Sequence, residues 1–134
     1  MAIKKIDHIG IVVRDVEAAL KVYRDALGLE LTKVASVPEQ GVRIACLPTG
    51  ESEIELVEPT IEDSGIARYL VKRGEGVHHV CLEVDDIEAS LSQMAAQGME
   101  LIDETPRVGS AGHKYAFVHP KSAHGVLIEL YEKQ

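Results

Sequence analysis

Along residues 6–20, IDHIGIVVRDVEAAL, apolar side chains first alternate and then recur every third or fourth position, which predicts a strand running into a helix. In the strand, Ile9, Ile11 and Val13 share the face that packs on the helix, and His8, Gly10 and Val12 share the other. In the helix, Val16, Ala19, Leu20, Tyr23 and Leu27 form one apolar stripe, with Asp15 placed as N-cap and Gly28 at the end. The same pattern returns in VHHVCLEVDDIEASL, residues 77–91, where His79, Val84, Asp86, Glu88 and Leu91 lie over His8, Val13, Asp15, Glu17 and Leu20. GLEL (28–31) then lies over GMEL (98–101), and IEL (54–56) over IEL (128–130), so that Glu55 pairs with Glu129. The chain is therefore read as a duplication of a unit of about 70 residues.

Further strands are predicted at LELTKVA (29–35), VRIACLP (42–48) and SEIELVEP (52–59) in the first copy. The second copy offers GVHHVCLEV (76–84), MELI (99–102), KYAFVH (114–119) and GVLIELYE (125–132). Each copy is thus βαβββ, over about 3–60 and about 76–132, and DSGIARYLVKRGEG supplies a connector helix at about 63–73. The expected fold class is α+β: tandem βαβββ modules in one domain over 1–134, forming a curved mixed sheet around a cleft.

Composition narrows the function. A net charge of −8 on 134 residues argues against nucleic acid as a partner, because phosphate binding needs a basic surface. No apolar run is long enough to span a bilayer, and MAIKK enters the first strand without a signal-like stretch, so no membrane partner and a cytoplasmic location are expected. Cys46 and Cys81 fall in apolar strand runs and read as buried reduced thiols.

The polar residues on the strands carry the chemistry. Alternation turns Ile54 and Leu56, and Ile128 and Leu130, toward the helices, and leaves Glu55 and Glu129 on the same far face as His8 and His79. Any one of these alone reads as a solvated residue. Four that agree in repeat position and in facing read as a metal site: two neutral imidazoles and two carboxylates balance a divalent cation and leave two octahedral positions open. Ligands of this type leave Co2+, Ni2+, Mn2+, Zn2+ and Mg2+ all admissible. His78, on the opposite face from His79, reads as structural, His119 and His124 as exposed turn residues, and His113 as able to reach either ligand or water.

With His8, Glu55, His79 and Glu129 in place, the chain resembles the vicinal oxygen chelate superfamily. DHIGI (7–11), PEQGV (38–42), ELVEP (55–59), GEGVHHV (74–80), PRVGSAG (106–112) and HPKSAHGVLIEL (119–130) narrow the resemblance to the methylmalonyl-CoA epimerase family. The resemblance implies interconversion of (R)- and (S)-methylmalonyl-CoA, a homodimer, and a divalent ion, Co2+ first among the candidates. It maps the last ligand, Glu129, as a catalytic base as well. Members place the opposite base where this chain has Ile44, which cannot move a proton, so Glu39, a bound water or another residue takes that role, with Glu39 preferred. Ser110, Gly112 and Lys121 are candidate contacts to the acyl-CoA, through backbone N–H groups and a cation. Two alternatives stay open: a glyoxalase I-type lyase acting on a glutathione hemithioacetal, which shares the ligand set, and a drug-sequestering binding protein on the same fold.

Overall fold

A computed structural model of the chain describes residues 2–109 and 111–133. The backbone packs as two compact units, Ile9–His78, and Met1–His8 with His79–Gln134. Strand β1 (Ile3–Val12) contributes to both, changing unit after His8.

In the unit Ile9–His78, β1 leads into α1 (Val16–Leu20), followed by β2 (Lys33–Val37), β3 (Val42–Thr49), β4 (Ser52–Pro59) and α2 (Gly65–Arg73). β2, β3 and β4 form an antiparallel meander with Ile44 opposite Ala35 and Val57. Asp15 caps α1 as predicted, its carboxylate accepting from the Glu17 N–H at 3.0 Å. Val13, Val16, Leu20, Ala45, Leu47 and Leu56 form the core, none more than 4% exposed, with Ile11, Tyr23 and Ile54 packed against it. The face assignment read from alternation therefore holds in this copy.

The helix does not continue as the α-spacing predicts. From Lys21 to Ala26 it widens into a π-helical stretch, in which the Leu27 N–H donates to the Val22 carbonyl five residues back. The wider turn rotates the stripe, so Tyr23 still reaches the core while Leu27 is left 63% exposed. Gly28 then takes φ +80°, and its second-copy equivalent Gly98 takes +83°; both are left-handed turns that favour glycine.

β5 (Gly76–Val84) changes unit after His78, and in the other unit it leads into α3 (Ile87–Ala96), followed by β6 (Arg107–Val108), β7 (Lys114–Val118) and β8 (Ile128–Glu132). Their order is β5–β8–β7–β6, with β5 and β8 parallel and the other pairs antiparallel. Val84, Ile87, Leu91, Ala116 and Leu130 form the core, joined by Leu82, Met94 and Ile128. Asp86 caps α3 by accepting from the Ala89 N–H at 3.0 Å.

One strand prediction is corrected in this copy, and one strand is added. MELI is not a strand; Leu101 makes one isolated bridge to Val118. A strand not foreseen, β6, pairs Arg107 with Tyr115 and Val108 with Lys114, antiparallel to β7. Asp103 fixes its base, one carboxylate oxygen taking the Phe117 N–H at 2.9 Å and the other the Arg107 guanidinium at 2.9 Å.

A second pair of capping contacts escaped the sequence reading. The carboxylate of Glu58 accepts from the Val16 N–H at 2.7 Å, and that of Glu132 accepts from the Ile87 N–H at 2.8 Å. Each glutamate stands three residues after Glu55 or Glu129, so each copy ties the first N–H of its helix to its own last strand. A carboxylate here satisfies a donor that has no partner within the helix and complements the helix dipole. Glu132→Ala is expected to cost about 1–2 kcal/mol in urea unfolding, and Glu132→Gln, whose amide oxygen still accepts, less than half of that.

Candidate metal centre

Within the unit that holds residues 79–133, three strands bring three donor side chains together. His8 comes from β1, His79 from β5 and Glu129 from β8, where Glu129 is the cross-strand partner of both Cys81 and Phe117. His8 and His79 are 8% and 7% exposed. Their Nε2 atoms face each other at 3.0 Å, with the rings nearly perpendicular at 89°. Glu129 Oε1 lies 3.5 Å from His8 Nε2 and 3.3 Å from His79 Nε2. Phe117 stands edge-on to the His79 ring at a centroid distance of 6.3 Å.

These separations can be tested against a metal. Donor atoms about 2.1 Å from a shared ion lie about 3.0 Å apart at right angles and about 3.4 Å apart at tetrahedral angles. Two of the observed distances, 3.0 and 3.3 Å, fall in that range and the third, 3.5 Å, lies just above it, and two nitrogens with one carboxylate oxygen suit a borderline divalent ion. Residues His8, His79 and Glu129 therefore fit such an ion as they stand.

The surroundings fix His8 from behind. Its Nδ1 is 2.8 Å from Asp7 Oδ2, and that hydrogen bond outweighs the cost of burial and, with the smaller attraction of His8 and Lys133, holds the Asp7 carboxyl below its usual pKa. An ionised Asp7 can only accept, so His8 Nδ1 carries the proton and Nε2 presents a lone pair. Burial pushes the Cys81 thiol up to about 12, and burial likewise raises the neighbouring Tyr131 phenol to about 12. The Asp7–His8 contact was missed because alternation sends adjacent side chains to opposite faces; only their adjacency in DHIGI hints at it.

Glu55 belongs to the unit Ile9–His78, on β4 across from Cys46. Its carboxylate, that of Glu53 and the Cys46 thiol have donor atoms within 4.8 Å of one another, and burial pushes Cys46 up to about 12. In the same unit Glu39 is exposed on a single helical turn, Pro38–Gln40, closed by Gly41 at φ +66°, while Ile44 is half-buried on β3. His78 packs edge-on against Tyr69 of α2 at 4.7 Å, and burial lowers its pKa, as befits a structural role.

Among the predicted acyl-CoA contacts, Ser110 lies outside the described residues. The Gly112 N–H is engaged by the Gly109 carbonyl at 3.0 Å. Lys121 is exposed on a turn over Pro120–Ala123 whose Lys121 N–H donates to His119 Nδ1 at 3.0 Å. His119 pairs with Glu100 at 3.4 Å, His124 is exposed at φ 56°, and His113 rests against the Tyr131 ring at 5.3 Å.

Residues 7–117 match the family model of the Glyoxalase/Bleomycin resistance protein/Dioxygenase superfamily. The chain belongs to this superfamily. Among curated relatives, the ethylmalonyl-CoA/methylmalonyl-CoA epimerase of Cereibacter sphaeroides is 36% identical over 96% of this chain and 97% of its own. Human mitochondrial methylmalonyl-CoA epimerase is 35% identical over 94% of this chain and 72% of its own. Among solved structures, a variant of Streptomyces coelicolor methylmalonyl-CoA epimerase in complex with 2-nitronate-propionyl-CoA superposes with a TM-score of 0.90 at 39% identity, covering 98% of this chain and 96% of the other. The fold is that of the superfamily, the vicinal oxygen chelate fold that the resemblance implied.

The buried thiols of this superfamily member give a direct check on the packing around the donors. With a pKa near 12, about one thiol in ten thousand is ionised at pH 8, and both sulfurs are shielded. Ellman's reagent is expected to leave Cys46 and Cys81 untouched in the native protein at pH 8 and to titrate both once guanidinium unfolds it.

Proposed function

We propose that the protein is a metal-dependent epimerase that interconverts (R)- and (S)-methylmalonyl-CoA by removing and returning the proton at C2. The observation that carries this reading is the convergence of His8 Nε2, His79 Nε2 and Glu129 Oε1 within 3.5 Å of one another in a superfamily member. Support for the substrate comes from the epimerase relatives, similar over nearly the whole chain, and from the neighbour that holds a propionyl-CoA derivative. Glu55, the repeat equivalent of Glu129, is the fourth donor in this reading, which makes the set two imidazoles and two carboxylates.

The reaction asks two things of the protein. Removing a proton from C2 places negative charge beside a carboxylate already present, and a divalent ion at the donor set supplies the Lewis acidity that offsets it. Epimerisation further needs one group to take the proton on one face and another to deliver a proton on the opposite face. Glu129 takes the first role: Oε1 is the oxygen turned toward the two imidazoles, which leaves the second oxygen of the same carboxylate to work at C2. Glu39, carried on a one-turn segment rather than a strand, is the proposed second group, since Ile44 offers no titratable atom. Lys121, Ser110 and Gly112 are assigned to the acyl-CoA chain. The ion is proposed to be Co2+, the assembly a homodimer and the location the cytoplasm. Among the described residues no helix is long and apolar enough to cross a membrane.

Incubating Co2+-loaded protein with one epimer in D2O tests the reading: deuterium enters C2 and both epimers appear. Conversion of a glutathione hemithioacetal in place of this exchange would instead mark a lyase. Glu129→Gln is expected to lower the exchange rate by at least about a thousandfold at saturating metal, and near-normal turnover would remove it from the chemistry. Glu39→Gln is expected to slow epimerisation while leaving wash-out of the C2 hydrogen from one epimer measurable. Unchanged rates from both epimers would assign the second proton to another group.

A further inference from the structure

Behind His8 lies a chain of charged groups that the proton-transfer scheme does not use. Asp7 divides its carboxylate: Oδ2 holds His8 Nδ1 at 2.8 Å, and Oδ1 lies 3.4 Å from Lys133 Nζ. Lys133 is shared in turn with Glu83 Oε1 at 3.6 Å. Glu83 is 6% exposed, and Lys4 and Lys5 also approach it, at 3.5 and 3.9 Å. All these groups belong to one unit. A carboxylate that buried needs cations around it, and the same lysine that meets this need on β8's C-terminal side fixes the second oxygen of Asp7.

We infer that Asp7 is a positioning residue, held by Lys133 and Glu83, which locks the His8 ring with its proton on Nδ1 and its Nε2 lone pair aimed at His79 and Glu129. The inference rests on the reading of His8 as a metal donor. An imidazole on a strand can rotate about its last torsion and carry its proton on either nitrogen. A carboxylate against Nδ1 removes both freedoms, leaving Nε2 unprotonated toward the ion and making the ring a stronger donor. The side chain of Asp7 is 15% exposed, so its hydrogen bond to His8 meets little competition from water. Lys133, 45% exposed, steadies Asp7 without touching the ring, and so ranks second in effect.

The test uses the full-length chain with Asp7→Ala, Asp7→Asn and Lys133→Met, each checked for native circular dichroism. In metal-free protein, long-range 15N–1H spectra are expected to show His8 as the Nδ1–H tautomer, and Asp7→Ala to convert it to a mixture. Co2+ affinity, followed by the visible absorption of the bound ion, is expected to fall about 10–100-fold in Asp7→Ala. Asp7→Asn, which keeps an acceptor oxygen, and Lys133→Met should fall between Asp7→Ala and wild type. Co2+ affinity within twofold of wild type in Asp7→Ala overturns the inference, and so does loss of affinity with the tautomer unchanged. If wild-type protein takes up no Co2+, the metal reading fails by itself, and the tautomer spectra alone then decide whether Asp7 governs His8.

Discussion

Two buried imidazoles that point Nε2 at Nε2 across 3.0 Å, with a carboxylate oxygen beside both, form an arrangement that only a positive centre or a shared proton makes tolerable. With the His8 proton on Nδ1, its Nε2 has a lone pair and no hydrogen. The contact with His79 then requires a proton on His79 Nε2, so one proton holds together what a divalent ion would hold better. Much else in that unit follows from keeping three donors at this spacing. They sit on strands rather than loops, Glu129 is flanked on both sides by paired neighbours, and Phe117 confines the His79 ring.

The duplication explains how a chain this short supplies such a set. A strand followed by a capped helix fixes which face of the strand packs on the helix, and the opposite face, itself buried at His8 and His79, carries the polar groups. Both copies use the device: Asp15 and Asp86 start the helices, while Glu58 and Glu132 tie those starts to the last strand of each copy. The tie matters for the proposed donors because Glu55 and Glu129 lie three residues before those glutamates on the same strands. A strand fastened at one end to the helix cannot slip by a residue, and a slip of one residue would turn every donor to the wrong face.

What the sequence made legible was periodicity. Alternation placed Ile11 and Val13 against one helix, and Leu82 and Val84 against the other, and so placed His8 and His79 on the opposite faces. Features that depend on the third dimension stayed hidden. The π-helical widening after Leu20 leaves no mark in a stripe that looks α-helical as far as Leu27, because the widening answers to packing rather than to residue type. MELI has strand composition, yet Leu101 finds only one bridging partner, while Arg107 and Val108, in a stretch rich in turn residues, become the strand that β7 pairs with. Asp7 was hidden for a related reason: a period of two separates it from His8, and only the fold brings its carboxylate round to the ring.

The division between strands and loops also orders the chemistry. Groups that must keep a fixed spacing to one another tolerate displacements of a fraction of an ångström, and hydrogen-bonded strands hold them to that. A group that meets the substrate from the opposite face has no such partner in the protein and need only arrive at C2 once the substrate is bound. His8, His79 and Glu129 are of the first kind, on β1, β5 and β8. Glu39, exposed on a single turn closed by a left-handed glycine, has the setting expected of the second kind. Ile44, the position that the resemblance gives to the second base, lies on β3 between Ala35 and Val57 and carries no titratable atom, so in the proposed reading the role passes from a strand to Glu39 on the turn before it.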